Sequence, residues 1–136
     1  MRKANYDKFP STKLTGMLVQ GWDSIISMLK KKMDARKVLA VDLYTGVYEE
    51  EVLDAFSKEF SGRVMNVRDL MKPEKEIQTL TERFMTEDVL FGYVTNLKLE
   101  DYLDADKVAA ARKQISEAKE TIVIIGTGAA VVAPQD

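Results

Sequence analysis

Residues 37–46 constrain the fold more than any other stretch. Val38, Leu39, Ala40, Val41 and Leu43 make an apolar run broken only by Asp42, and Tyr44, Thr45 and Gly46 then turn the chain. A strand with one face in water alternates polar and apolar residues. A run that is apolar on both faces is covered on both, as in a parallel sheet packed between helices. The pattern predicts a central parallel strand over 37–43. Residues 47–60 follow at once, with Val52, Leu53, Phe56 and Phe60 on one helical stripe. Strand, turn and helix in that order build phosphate sites in α/β proteins.

The rest of the chain repeats this alternation. From Trp22, the positions Trp22, Ile25, Ile26, Leu29 and Met33 have helical spacing, so Trp22 is a core anchor on a first helix. Lys30, Lys31 and Lys32, with Arg36 and Lys37, lie at its end, where cations complement the helix dipole; this reading is preferred to an anion-binding patch. Residues 63–67 form a short second strand ending at Arg68 and Asp69. Pro73 opens a helix whose buried stripe is Ile77, Leu80 and Phe84. Residues 89–94 read either as a strand or as a packed loop around Gly92. Asp104 is an N-cap for a helix over 105–119, with Val108, Ala111 and Ile115 inward. The β-branched run 121–125 is the last strand, buried on both faces.

This βαβαβ order predicts an α/β fold: a three-layer parallel sheet with helices on both faces. Residues 1–21, with Pro10, Gly16 and Gly21 and no sustained period, form an N-terminal arm, and residues 22–136 form a single α/β domain. No covering helix follows the last strand. Either that strand lies near an edge covered by the first helix, or the sheet is incomplete at its C-terminal side and the chain is a fragment of a longer polypeptide.

Composition removes several chemistries. The 136 residues contain no histidine and no cysteine. Zinc sites draw on those two side chains, and so do the Ser-His and Cys-His nucleophile pairs. A formal charge of −2 gives no electrostatic footprint for nucleic acid. No apolar run is long enough to span a membrane. The basic start of the chain is not followed by an apolar leader segment, and the lack of cysteine fits a reducing cytoplasm, the expected location.

Ligands of open α/β sheets bind outside the carboxyl ends of the strands. The candidate ligand-binding residues are therefore Asp42, Thr45, Gly46, Asp69, Thr127 and Gly128. Asp42 has two readings held equal, a ligand group or a carboxylate that caps a turn through backbone amides. Arg68 and Asp69 read first as a surface ion pair and second as part of a site. Glu49, Glu50 and Glu51 suit the start of a helix, but would repel a phosphate there. Gly126 and Gly128 begin a dinucleotide fingerprint, yet Val131 stands where its third glycine belongs and Pro134 follows. A turn that lets backbone pass close to its neighbours is the preferred reading.

In the phosphate-loop pattern GxxxxGK[ST], Val41 takes the place of the first glycine and Gly46-Val47-Tyr48 that of GK[ST], so both the lysine and the magnesium-binding hydroxyl are missing. With the helix pattern and the residues 99–104 before the last helix and strand, this resembles a uridine-kinase-like P-loop fold without its catalytic loop. More specifically, Ala4-Asn5-Tyr6-Asp7-Lys8-Phe9-Pro10, Gly21-Trp22, Phe91-Gly92-Tyr93, residues 97–104 and Ile124-Ile125-Gly126-Thr127-Gly128-Ala129 resemble the N-terminal region of long bacterial class I mannose-6-phosphate isomerases. In that family a kinase-like domain precedes a cupin catalytic domain, and the resemblance spans nearly the whole chain. It implies a noncatalytic accessory or assembly domain that binds a phosphorylated ligand at most, partnered by the cupin domain of the same polypeptide or by self-association. The cupin zinc ligands have no positions here to map onto, so the resemblance implies no cofactor in this chain. The alternative is a divergent nucleoside- or sugar-kinase-like phosphotransferase using Asp42 or Asp69.

Overall fold

A computed structural model of the chain describes residues 9–13, 15–33 and 37–133; Ala4 to Lys8, Arg36 and Pro134 lie outside them. Residues 9–13 and 15–21 of the arm contain no helix or strand. Helix α1 is Trp22–Met33, strand β1 Val38–Asp42, helix α2 Glu49–Glu59 and strand β2 Arg63–Asn66. A 3₁₀ turn over Val67–Leu70 leads to helices α3 (Glu74–Glu82), α4 (Leu99–Tyr102) and α5 (Ala105–Glu117). Strand β3 (Ile122–Gly126) follows, and after it, contrary to the expectation that no covering helix follows the last strand, the short helix α6 (Ala129–Val132), which buries Ala129 and Val132.

The three strands are parallel in the order β1-β3-β2. The last strand is thus central, and β1, expected at the centre, is an edge strand. The reason lies in what an apolar run measures. The run of β1 is covered only in part, half-buried at Val38, Leu39 and Val41 and exposed at Ala40 and Asp42, and its position across the sheet is set by backbone pairing, which the apolar run did not report. Of the two alternatives for the last strand, the one that put it near an edge is overturned by the same order.

β3 divides its side chains between two apolar clusters. Val123 and Ile125 join Ile26 and Met33 of α1 and Val52, Phe56 and Phe60 of and beside α2. Ile122 and Ile124 join Val108, Ala111 and Ile115 of α5, Ala129 and Val132 of α6, and Val67, Leu70 and Leu103. Every residue of β3 is buried, while β1 is only half-buried or exposed along its length. Trp22 meets the edge of the Phe56 ring at a 6.3 Å centroid separation, as expected of a core anchor. Lys30 pairs with Glu59 at 3.4 Å and lies over the Phe60 ring, so it serves the α1–α2 contact.

Asp104 accepts from the amides of Asp106 and Lys107 at 3.0 and 3.1 Å, the predicted cap of α5. Two expectations fail between β2 and α5. Ile77, Leu80 and Phe84 are half-buried, and α3 buries no residue. Residues 89–94 form neither a strand nor a packed loop: Val89, Leu90, Phe91, Tyr93 and Val94 are 70–99% exposed. Asp88 holds the bend before them through the amides of Leu90 and Phe91, a local bond that needs no cover from the core.

Candidate functional site

The three strands end almost level, with Asp42 opposite Gly126 and Asn66 opposite Ile125. At this carboxyl edge the chain turns after β1 and again after β3, and four hydrogen bonds tie the two turns together. The Leu43 amide donates to the Gly126 carbonyl at 3.3 Å. The Thr127 hydroxyl donates to the Leu43 carbonyl at 3.0 Å. The amides of Gly128 and Ala130 donate to Oδ1 and Oδ2 of Asp42 at 3.0 and 3.1 Å.

Local sequence explains why the acid comes from another strand. Gly128 is the N-cap of α6 and has the left-handed conformation, φ +88°, which a side chain disfavours. A glycine has no side-chain oxygen with which to cap the free amides of a helix start. Asp42, the last residue of the neighbouring strand, supplies a carboxylate at that position, where negative charge also meets the helix dipole favourably. Of its two readings, the structure shows the capping one. Gly126 satisfies the close-approach expectation: at φ +136°, a Cβ there would lie 2.8 Å from Cβ of Val67.

The other candidates fall elsewhere. Thr45 and Gly46 form the tip of a turn closed by the Val47 amide on the Tyr44 carbonyl at 3.2 Å, with Gly46 at φ +93° and both residues exposed. Asp69 lies on the 3₁₀ turn and lines a cleft of about 320 Å³ between β2 and α5, with Arg63, Asn66, Lys107 and Gln114. Asp42, Thr127 and Gly128 are therefore bonded into one cluster, and Asp69 borders a separate cleft. Arg68 does not pair with Asp69, as the sequence suggested; its guanidinium reaches Glu49 on the first turn of α2 at 3.0 Å. Sequence reading missed this pair because 19 residues separate its members. It also missed Asn66, whose side chain accepts from the Arg68 amide at 2.8 Å and starts the 3₁₀ turn.

These bonds limit the chemistry of the edge. Two amides of the β3–α6 turn and the Thr127 hydroxyl are engaged inside the protein. The start of α2 carries Glu49, Glu50 and Glu51, with Glu49 engaging Arg68 and Glu51 accepting from the Trp22 indole at 3.3 Å. Among the described residues, Glu49 Oε1 is buried without a hydrogen-bond partner. Among the described residues, no group of three or more Asp, Glu, His or Cys side chains is arranged to hold a metal ion, and no helix is long and apolar enough to cross a membrane.

Fold and edge together define an α/β domain on a three-stranded parallel sheet in which Asp42, at the end of β1, is bonded to the turn after β3. Residues 21–136 match a family described as a domain of unknown function, DUF8485, and the chain belongs to that family. No curated protein and no solved structure matches the chain.

Proposed function

We propose that this chain is a noncatalytic accessory domain that serves in assembly beside a mannose-6-phosphate isomerase catalytic unit, on a three-layer, P-loop-kinase-like scaffold. The observation that carries the noncatalytic part is the Asp42 carboxylate on the Gly128 and Ala130 amides. Backbone amides at the start of a helix are the groups that would cradle a phosphate, and an internal anion already holds these two. Phosphoryl transfer depends on cations placed where charge develops. The β1–α2 turn offers Tyr44, Thr45, Gly46, Val47 and Tyr48, followed by three glutamates. The cover on both faces of β3 and the strand-turn-helix order of β1 and α2 support the scaffold reading. The resemblance along residues 4–129 supplies the partner class, a cupin catalytic domain of the same polypeptide; a cytoplasmic location goes with it.

Titration with ATP-magnesium and with mannose 6-phosphate, followed by thermal unfolding and Trp22 fluorescence, tests this reading. Unchanged midpoints with both ligands are expected. A midpoint that climbs with ATP-magnesium concentration would replace this reading by the phosphotransferase one. A climb with mannose 6-phosphate alone would make the domain a sugar-phosphate sensor.

A further inference from the structure

Strand β1 is an edge of the sheet, and its outer side is open along its length. The Ile122 amide donates to the Lys37 carbonyl at 2.7 Å and the Leu43 amide to the Gly126 carbonyl at 3.3 Å, with Val38 opposite Ile122 and Asp42 opposite Gly126. Backbone groups alternate in direction along a parallel strand. Lys37, Leu39, Val41 and Leu43 therefore serve β3, while Val38, Ala40 and Asp42 turn their N–H and C=O groups away from the sheet. Among the described residues no backbone group bonds to these three from the outer side. The Asp42 carboxylate does not cover the edge either, being turned to Gly128 and Ala130. An open edge of this kind takes the backbone of another strand.

The outward residues fit the same edge of a second copy. Two identical edges related by a twofold axis meet antiparallel. With Ala40 opposite Ala40 of the second copy, Val38 lies opposite Asp42, and the outward N–H and C=O groups of all three residues find partners on both copies. A slip of two residues takes one of the three past the end of the facing strand. The small, exposed Ala40 at the axis lets the copies close up, and on the other face Leu39 meets Val41 of the second copy as an apolar cross-strand pair. Charge agrees with this direction. α2 covers β2 and β3, so α1, packed beside it over Leu39 and Val41, is the helix nearer the open edge. Trp22 bonds to Glu51 at the start of α2 and Lys30 to Glu59 at its end, so α1 runs against the strands. A twofold axis perpendicular to the sheet sets the two α1 helices antiparallel on one face, with the acidic start of each, Asp23, towards Lys31 and Lys32 at the end of the other. None of these three takes part in an ion pair among the described residues.

We propose that two copies join β1 to β1 as antiparallel neighbours about a twofold axis at Ala40, giving a closed dimer with one continuous sheet. This rests on the assembly reading and names a second copy of the chain as the partner.

Sedimentation and amide hydrogen exchange of the full chain test it. The wild-type chain is expected to be a dimer in which the amides of Val38, Ala40 and Asp42 exchange slowly. Ala40→Glu and Ala40→Lys each set like charges against one another at the axis and weaken the dimer by about tenfold or more, and an equimolar mixture of the two variants restores it as a heterodimer. Residue 40 is exposed, and circular dichroism checks that the variants fold; exchange in the wild-type chain decides the matter without them. A monomeric wild-type chain overturns the proposal, and slow exchange of the three amides in that monomer assigns the edge to a segment of the same chain. A dimer whose three amides exchange freely, one that both variants leave unchanged, or a mixture no tighter than its components overturns it as well. All of these leave the assembly reading standing through a cupin partner, whereas a response to ATP-magnesium in the titration above defeats that reading without touching the dimer.

Discussion

The carboxylate of Asp42 holds the amide of Gly128 at 3.0 Å, so the last residue of an edge strand caps the helix that follows the central strand, 86 residues later. Two distant parts of the chain are fastened by one side chain, and the turn's anion-binding amides are used in doing so. Asp42→Ala is expected to destabilise the fold by about 1–2 kcal/mol in urea unfolding, the usual cost of a lost helix cap. Asp42→Asn, which keeps one acceptor oxygen, recovers part of this. Loss of less than about 0.3 kcal/mol in both would mean that the bonds contribute nothing to folding.

The strand order makes a second expectation quantitative. Ile124 is fully buried in the middle of β3, and Leu39 on β1 is half-buried. Ile124→Ala should cost about 3–4 kcal/mol and Leu39→Ala about 1–2 kcal/mol, because the cost follows apolar area and the cavity left behind. Equal losses would contradict the placement of β1 at the edge.

Gly126 and Gly46 both have positive φ, but only Gly126 is crowded. A Cβ at Gly46 meets nothing within 4 Å, and one at Gly126 meets Val67. Gly46→Ala should cost about 1 kcal/mol from backbone strain alone. Gly126→Ala adds a steric term of about 1–3 kcal/mol and should lower the thermal midpoint markedly more.

Arg68 and Glu49 form an ion pair whose arginine is 64% exposed. Screening by water keeps such pairs weak, so Arg68→Ala should change stability by less than about 1 kcal/mol, and the difference should shrink in high salt. A larger, salt-independent loss would mean that the buried Glu49 oxygen depends on this guanidinium.

The sequence made the α/β class legible because face coverage and helical stripes are written in polarity: the runs at 37–43 and 121–125 became β1 and β3, each within a residue of the expected bounds, and the Val52–Phe56 stripe became the inward face of α2. Lateral order was not legible, since backbone pairing put β3 between β1 and β2 without a side-chain signal. Segment 89–94 misled because its apolar residues imply cover, yet Val89, Leu90, Phe91, Tyr93 and Val94 stay 70–99% exposed, and the Tyr93 amide ties the segment to the Phe84 carbonyl through backbone. At the candidate site, an acid at the end of β1 could be found, and so could the glycine turn. That they bond to each other was hidden by the 86 residues between them.

The claim that the strand-end amides are occupied from within is tested most directly by nuclear magnetic resonance of the Gly128 and Ala130 amides during addition of ATP-magnesium. The account predicts that both resonances stay in place throughout the titration, and that both move when Asp42 is replaced by Ala. Resonances that shift and saturate in the wild-type chain would show a phosphate displacing the Asp42 carboxylate, and would contradict it.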